Sequence, residues 1–254
     1  MTKKAKKPSM KKPSAKLMKG IVKLSYGMSG KMYNVLSLST NCVNCPRCIQ
    51  RHKNPNSICY DCYAMKQLEK PNYKNTNMIK AFNHNADALT TKVLSDAECM
   101  DIAKEIVFAI IKNETHLLRI ESFGDLHNET HAMNYINICA AVDFVSFEEN
   151  YKVKIGFWTK NFDYLCNAFQ KCNEFTKTSF RHSTSVVLSS VFKNIKISDC
   201  IVEKVEKILG MRVKTFTVMT ENSDIINCGK RACATCEKCY TKDNEIYNMF
   251  EYIK

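Results

Sequence analysis

The sequence predicts an α/β protein with a mostly parallel sheet, arranged as a partial barrel or an open sheet, with cysteine-rich loops near both ends. Three observations point there. Apolar strand-like runs alternate with helical patterns from residue 116 onward, which favours βαβ units and parallel pairing. Those runs finish in polar residues, as a shared pocket at the carboxyl ends of parallel strands requires. Nine of the fourteen cysteines also fall in two tight groups: Cys42, Cys45, Cys48, Cys59 and Cys62 near one end, and Cys228, Cys233, Cys236 and Cys239 near the other.

Each element has its own warrant. Residues 1–20 hold eight lysines and no acid, with Pro and Ser between them, so they read as a disordered basic tail. The formal charge is +13, and the tail leaves only +5 for the body, an ordinary balance. The tail is either a solvated run or a salt-dependent contact to phosphates, which keeps nucleic acid as a candidate partner. Residues 20–27 and 34–40 read as short strands split by a Gly/Ser turn, and the first cysteine group follows directly. Residues 78–94 and 96–113 read as helices, the second with Ile102, Ile106, Phe108, Ala109 and Ile110 on a broad apolar face. The alternation then runs strand 116–122, helix 130–142, strand 153–160, helix 161–172, strand 185–190, helix 198–209 and strand 212–220. Residues 244–253 are expected to close the chain as a helix. The series holds about five to six strands, too few for an eight-fold barrel. Residues 21–254 are expected to form one domain.

No apolar run is long enough to span a bilayer, so no membrane association is expected. The start of the chain has no apolar core of a secretory signal, which places the protein in a reducing cytoplasm. There, clustered cysteines mean metal or redox chemistry rather than disulfides. No Gly-rich phosphate cradle and no GxSxG nucleophile motif is present.

The polar strand ends supply the other candidates: Glu121, Ser122, Gly124 and Asp125 in IESFGDL, Thr159 and Lys160 in FWTKN, and Ser189 and Ser190 in VVLSS. Singly each has a plainer reading; Asp125, Asn161 and Ser198 can all start helices. As a set they read as one pocket, with both cysteine groups above it. Spacing leaves the metal open. Cys42-x2-Cys45 and Cys59-x2-Cys62 are paired knuckles that suit zinc. The packed triplet Cys42, Cys45, Cys48 and the run Cys228 to Cys239 have instead the flavour of iron–sulfur ligation. Basic neighbours such as Arg47 stabilise either anionic site. The dispersed Cys99, Cys139, Cys166 and Cys200 read as small core residues. No histidine set is read as metal ligands, and His127 reads as a lone surface residue.

Several segments in the right order resemble the phage gene product 88 family: NCPRC with ICYDCYAMK and KPNYKNTN, then RIESFGDLHNETHAMNYINICAA, KIGFWTKN and the ending INCGKRACATCEKCY. The resemblance covers about residues 34–240 and implies a TIM-barrel-like α/β fold akin to radical S-adenosylmethionine enzymes, carrying iron–sulfur clusters. It places Cys45, Cys59 and Cys62 on the opening motif. Ser122, Gly124 and Asp125 fall on the next, Thr159 and Lys160 on the following strand end, and Cys233, Cys236 and Cys239 on the terminal motif. Cys42 and Cys48 are additional, and the CxxxCxxC loop of most radical enzymes of that kind is absent.

The resulting expectation is a partial (β/α) TIM-barrel-like iron–sulfur protein of redox or radical type with an undefined small-molecule substrate or electron donor. Cys45, Cys59 and Cys62, with Cys42 or Cys48, would hold a 4Fe–4S cluster, and the second group an auxiliary one. Glu121 or Asp125 would orient an amine or hydroxyl and Lys160 a carboxylate. Ser122, Gly124, Thr159 and Ser189 would line the cofactor pocket, with S-adenosylmethionine a candidate. The rival is a non-enzymatic zinc protein that binds nucleic acid.

Overall fold

The computed structural model describes residues 20–28, 30–43, 45–49, 54–60, 62, 64–66, 77–222, 224–229, 231–242 and 247–252. The basic tail expected over 1–20 lies outside the described residues, apart from Gly20.

Seven strands form one sheet in the order of the chain: β1 (Ser25–Tyr26), β2 (Leu36–Leu38), β3 (Leu117–Ile120), β4 (Lys154–Thr159), β5 (Thr184–Ser189), β6 (Lys214–Met219) and β7 (Asn248–Tyr252). β1 runs antiparallel to β2 and every other neighbouring pair is parallel. The helices are α1 (Pro46–Ile49), α2 (Asn77–Thr90), α3 (Asp96–Lys112), α4 (Glu129–Glu148), α5 (Phe162–Lys171), α6 (Glu174–Ser183), α7 (Asp199–Leu209) and α8 (Cys233–Cys236). Local chemistry sets their ends. Ser95 and Glu98 form a capping box at the start of α3, and Gly210, with φ of 64°, closes α7 in the left-handed conformation that glycine adopts freely.

The two-residue period of the strands separates the faces of the sheet. Leu118 and Ile120 of β3, and Val186 and Leu188 of β5, face one way and pack with Ile106, Tyr135, Phe169 and Val205 from the helices. Leu117 and Val187 face the other way and join Phe216, Val218 and Met249 in a second cluster with Cys239 and Tyr240. One face therefore carries the long helices, and the other carries the second cysteine segment. That segment is the connection from β6 to β7, whose one described helix has four residues. Glu237 anchors it at the amino ends of β3 and β4 through His116 Nε2 and Lys154 Nζ, each at 2.5 Å.

The sheet is not closed by hydrogen bonds: among the described residues no pairing joins its first strand to its last. It nonetheless curls. Lys31, between β1 and β2, forms an ion pair with Glu251 of β7, so opposite edges of a seven-strand order meet across one gap.

Two expectations are corrected. The helix expected over 244–253 is replaced, where described, by β7, because Asn248 to Tyr252 complete the exposed edge of β6 and strand pairing overrides a weak local helical pattern. The stretch 174–183, expected as connection, is α6; its polar sequence hides the helix, of which only Phe180 is buried, and Asn173 caps it through Thr176 N–H. Helix α4 also runs six residues further than the expected end at 142.

Gly156 leaves room for Tyr240: a Cβ there would lie 2.8 Å from the tyrosine ring. Gly156→Ala is therefore expected to destabilise the protein by about 1–3 kcal/mol and to alter the near-ultraviolet dichroism of the displaced tyrosine. An unchanged urea midpoint would show that the second cysteine segment is not seated on this strand.

Candidate metal centre and cavity

The first cysteine group begins four residues beyond β2. Cys45 N–H bonds the Cys42 carbonyl at 3.2 Å, and Pro46 opens α1, which carries Cys48. Residues 57–59 dock beyond the carboxyl end of β5: Ile58 N–H bonds the Val191 carbonyl at 2.8 Å, and the Ser57 hydroxyl accepts the Cys59 N–H at 3.1 Å. A second tight turn, Cys62 N–H to the Cys59 carbonyl at 3.3 Å, brings the fifth thiol back. The sulfurs of Cys42, Cys48 and Cys62 all lie within 4.8 Å of one another, the one such group of potential metal ligands among the described residues. Cys48 is the hub. Its S–H points to Cys62 Sγ at 3.8 Å, and Cys42, Cys45 and Cys59 surround it. These neighbours hold the Cys48 proton on, and Cys42 and Cys48 push the Cys62 thiol down to about 2. This gathering can hold a metal ion.

A ring of polar residues at the ends of β3 and β4 surrounds it. Asp125 Oδ1 accepts from the Thr159 hydroxyl at 2.7 Å and from Leu126 N–H at 2.8 Å. Its Oδ2 accepts from Lys160 N–H at 2.9 Å, with Lys160 Nζ at 3.5 Å. Burial works against the Lys160 ammonium, but Asp125 and the thiolates of Cys59, Cys45 and Cys62 outweigh it and raise its pKa. Asn161 occupies the N-cap position of α5 yet makes no cap bond with its side chain. Its Nδ2 instead donates to the Leu126 carbonyl at 2.7 Å and approaches Cys45 Sγ at 3.9 Å, and its Oδ1 accepts from Arg47 Nε at 3.1 Å.

Glu121 lies on the cavity wall but is only 3 % exposed. Its φ of 54° is in the left-handed region, unusual for a residue with a side chain. Oε1 accepts from the Thr40 and Tyr135 hydroxyls, both at 2.7 Å, and faces His131 Nε2 at 3.4 Å. His131 Nδ1 accepts the His127 N–H, which leaves the histidine proton on Nε2, where no hydrogen bond satisfies it. Oε2 accepts the Thr40 N–H at 3.3 Å. Burial is the main force on this carboxyl; despite the donors Tyr135 and Thr40 its pKa is pushed up to about 7. Gly124 makes the fit, since a Cβ there would sit 2.6 Å from Glu121 Oε2.

One cavity of about 580 Å³ joins these parts. The five thiols of the first group line it, as do Glu121, Ser122, Gly124, Asp125, Thr159, Lys160 and Ser189. Cys228, Cys233 and Cys239 line it too, whereas Cys236 does not. The second group is looser than the first, and is not gathered within 4.8 Å. Cys239 packs against Met249 Sδ at 3.1 Å, and burial pushes its thiol up to about 12. Lys31 and Arg119 are its cations, the latter with its guanidinium 3.9 Å from the Trp158 ring centroid.

The placements revise several expectations. The two groups share a cavity, but only the first hangs over the carboxyl ends; the second crosses the open sheet face toward the amino ends, because its connection runs back to start β7. His127 is buried, not a surface residue, with Nε2 2.8 Å from the Asn41 carbonyl. Cys200 is exposed, while Cys99, Cys139 and Cys166 are buried. Both oxygens of Asp125 are already bonded within the protein. His131, Tyr135 and Asn161 are site residues that the sequence does not single out. The spacing of His127, His131 and Tyr135, four residues apart each time, is the signal that puts all three on one stripe of α4 and the turn before it. No described helix is long and apolar enough to cross a membrane. Comparisons with protein-family models, curated proteins and solved structures find no match.

Because Glu121 holds its proton in the fold to about pH 7, against 4.5 as its ordinary value, folding favours the protonated form. The stability of the wild type relative to Glu121→Gln is thus greatest below pH 4.5 and falls by about 3 kcal/mol as pH rises through 7, then levels off. Urea unfolding of both proteins across this range measures it. A constant difference would count against a buried, protonated Glu121.

Proposed function

We propose that this chain is an iron–sulfur enzyme of redox or radical type, acting on a small molecule in the cavity of a partial (β/α) TIM-barrel-like fold. The observation that carries the reading is the convergence of five thiols from two turns at the mouth of a cavity of about 580 Å³. A purely structural staple has no need of an adjoining chamber with a buried carboxylate on its wall. The sequential strand order, the helices on one face and the curl that brings Lys31 to Glu251 support the barrel-like reading. They are also what the resemblance to the gene product 88 family implies.

The donor set fits such a group: soft sulfur ligands, buried, with a cation beside them. Cys45, Cys59 and Cys62, with Cys42 or Cys48, would hold it. A 4Fe–4S cluster so bound supplies one-electron chemistry, with S-adenosylmethionine a candidate co-substrate. The chain does the rest. Phe123, Trp158 and Phe216 limit water in the chamber. Glu121 presents a carboxyl that near neutral pH can give or take a proton, so it suits an amine or hydroxyl of the bound molecule. Cys228, Cys233, Cys236 and Cys239 would hold an auxiliary centre.

One distance favours a second reading. The 3.8 Å between Cys48 and Cys62 is close to the spacing of about 3.8 Å between thiolates bound tetrahedrally at about 2.3 Å to a single ion. A mononuclear zinc or iron site fits that contact.

Anaerobic purification separates the two. The first reading expects a brown protein containing iron and acid-labile sulfide, with broad absorption near about 400 nm. Incubation with S-adenosylmethionine and dithionite is then expected to release 5′-deoxyadenosine. Colourless protein with stoichiometric zinc, and no iron after reconstitution, would replace it with the second reading.

A further inference from the structure

Lys160, Asp125 and Asn161 look from sequence like substrate-facing polar residues or helix caps. The geometry gives them a different role. We propose that Lys160 and Asn161, at the carboxyl end of β4, form the outer coordination sphere of the first cysteine group. In this arrangement Lys160 balances its charge, Asn161 donates an N–H to Cys45, and Asp125 and Arg47 hold both in place. The inference rests on the reading of Cys42 to Cys62 as a metal centre, whichever metal it holds.

Three independent features carry it. First, Asp125 has no oxygen left for a ligand. Its carboxylate is used on Thr159, Leu126 and both nitrogens of Lys160, which fixes that side chain beside the thiols. Second, Lys160 lines the same cavity as the sulfurs of Cys45, Cys59 and Cys62, the end of β4 being tied to that turn through Asn161. A buried cluster of thiolates is costly to desolvate, and a fixed cation offsets that cost. Third, Asn161 forgoes a bond that its position offers. An N-cap asparagine ordinarily accepts an N–H of its own helix. Here Oδ1 accepts Arg47 Nε and Nδ2 is turned to Cys45 Sγ and the Leu126 carbonyl. Arg47 itself lies on α1 between Cys45 and Cys48, so the contact clamps the ligand turn onto the end of β4. Hydrogen bonds and positive charge at thiolate sulfurs strengthen metal binding and raise the potential of iron centres.

Anaerobic titration of the full-length protein with Co²⁺ tests this, using the thiolate charge-transfer bands that are lost or weakened in Cys62→Ser to report the first group. Lys160→Met and Asn161→Leu are expected to weaken that binding by about tenfold or more, with Lys160→Arg near the wild type. Asn161→Asp, of the same size but with a negative charge, is expected to be weaker than Asn161→Leu. In iron-loaded protein the midpoint potential of the first centre is expected to move negative in Lys160→Met and Asn161→Leu. Circular dichroism and thermal unfolding check that each variant folds. Unchanged affinity and potential in folded Lys160→Met and Asn161→Leu would overturn the assignment while leaving the centre standing. So would an Arg variant as weak as Met, which would make shape rather than charge decisive. A wild-type protein with no Cys62-dependent band would instead remove the centre itself, and the outer sphere with it.

Discussion

The carboxyl end of this sheet depends on one carboxylate. Asp125 sits in the turn after β3, and three of its four hydrogen-bonding contacts reach Thr159 and Lys160 at the end of β4. Hydrogen bonds to a charged group contribute more than neutral ones, about 1.5–3 kcal/mol each, and a buried carboxylate without them would be strongly destabilising. By joining the two strand ends, Asp125 sets where Lys160 and Asn161 stand, and so what the thiols of the first group meet. It sets the other side of the turn as well. Gly124, beside it, must pack against Thr40 and Glu121, and Glu121 must take a left-handed conformation for its carboxylate to reach Tyr135 and His131.

The cavity exists because the sheet has two unlike faces. Long helices cover the outer face and supply the main apolar cluster. Among the described residues the inner face receives chiefly the connection between β6 and β7, which carries four cysteines, with Met32 and Ile58 packed beside it. Glu237, held by His116 and Lys154, and Tyr240, seated on Gly156, fasten it near the amino ends. The carboxyl half of that face stays open, and the first cysteine group closes it from above. The Lys31–Glu251 ion pair brings the two edges together at the side. The chamber is thus what remains of an inner face plugged at one end and capped at the other.

Much of this is legible in the sequence. Parallel strands buried on both faces read as apolar runs, so β3 to β6 stand out between amphipathic helices. The ends of these runs name Glu121, Asp125, Thr159 and Lys160, and spacing names the thiols. What stays hidden depends on contacts distant in the chain. β7 is a strand because β6 needs a partner, not because of its own pattern. Helix α6 buries little beyond Phe180 and lacks the apolar stripe that reveals a helix. Asn161 looks like a cap because its position is one, and only the fold shows its side chain turned toward Cys45, more than a hundred residues earlier. No local rule marks Glu121 for a left-handed conformation; it follows from a carboxylate drawn between Thr40 and Tyr135.

The period of two along β3 and β4 then accounts for the wall between the cysteine groups. On β3 the inward positions are Leu117 and Arg119 and on β4 Gly156 and Trp158, with Gly156 directly opposite Arg119. Leu117 and Gly156 meet Tyr240 of the second cysteine segment. Arg119 reaches diagonally to stack its guanidinium on the Trp158 indole, which Phe216 meets edge-on, its centroid 4.7 Å away. Past the end of β4, Lys160 stands at Asp125 on the wall that the first group of thiols also lines. The first cysteine group thus has Lys160 near it, and the second has Arg119 and Lys31. Charges among apolar side chains are screened less than in water, so these cations act on the sulfurs near them more strongly than fully exposed ones would. Two adjacent strands, read at every second residue, are enough to divide one cavity into two chemically distinct ends.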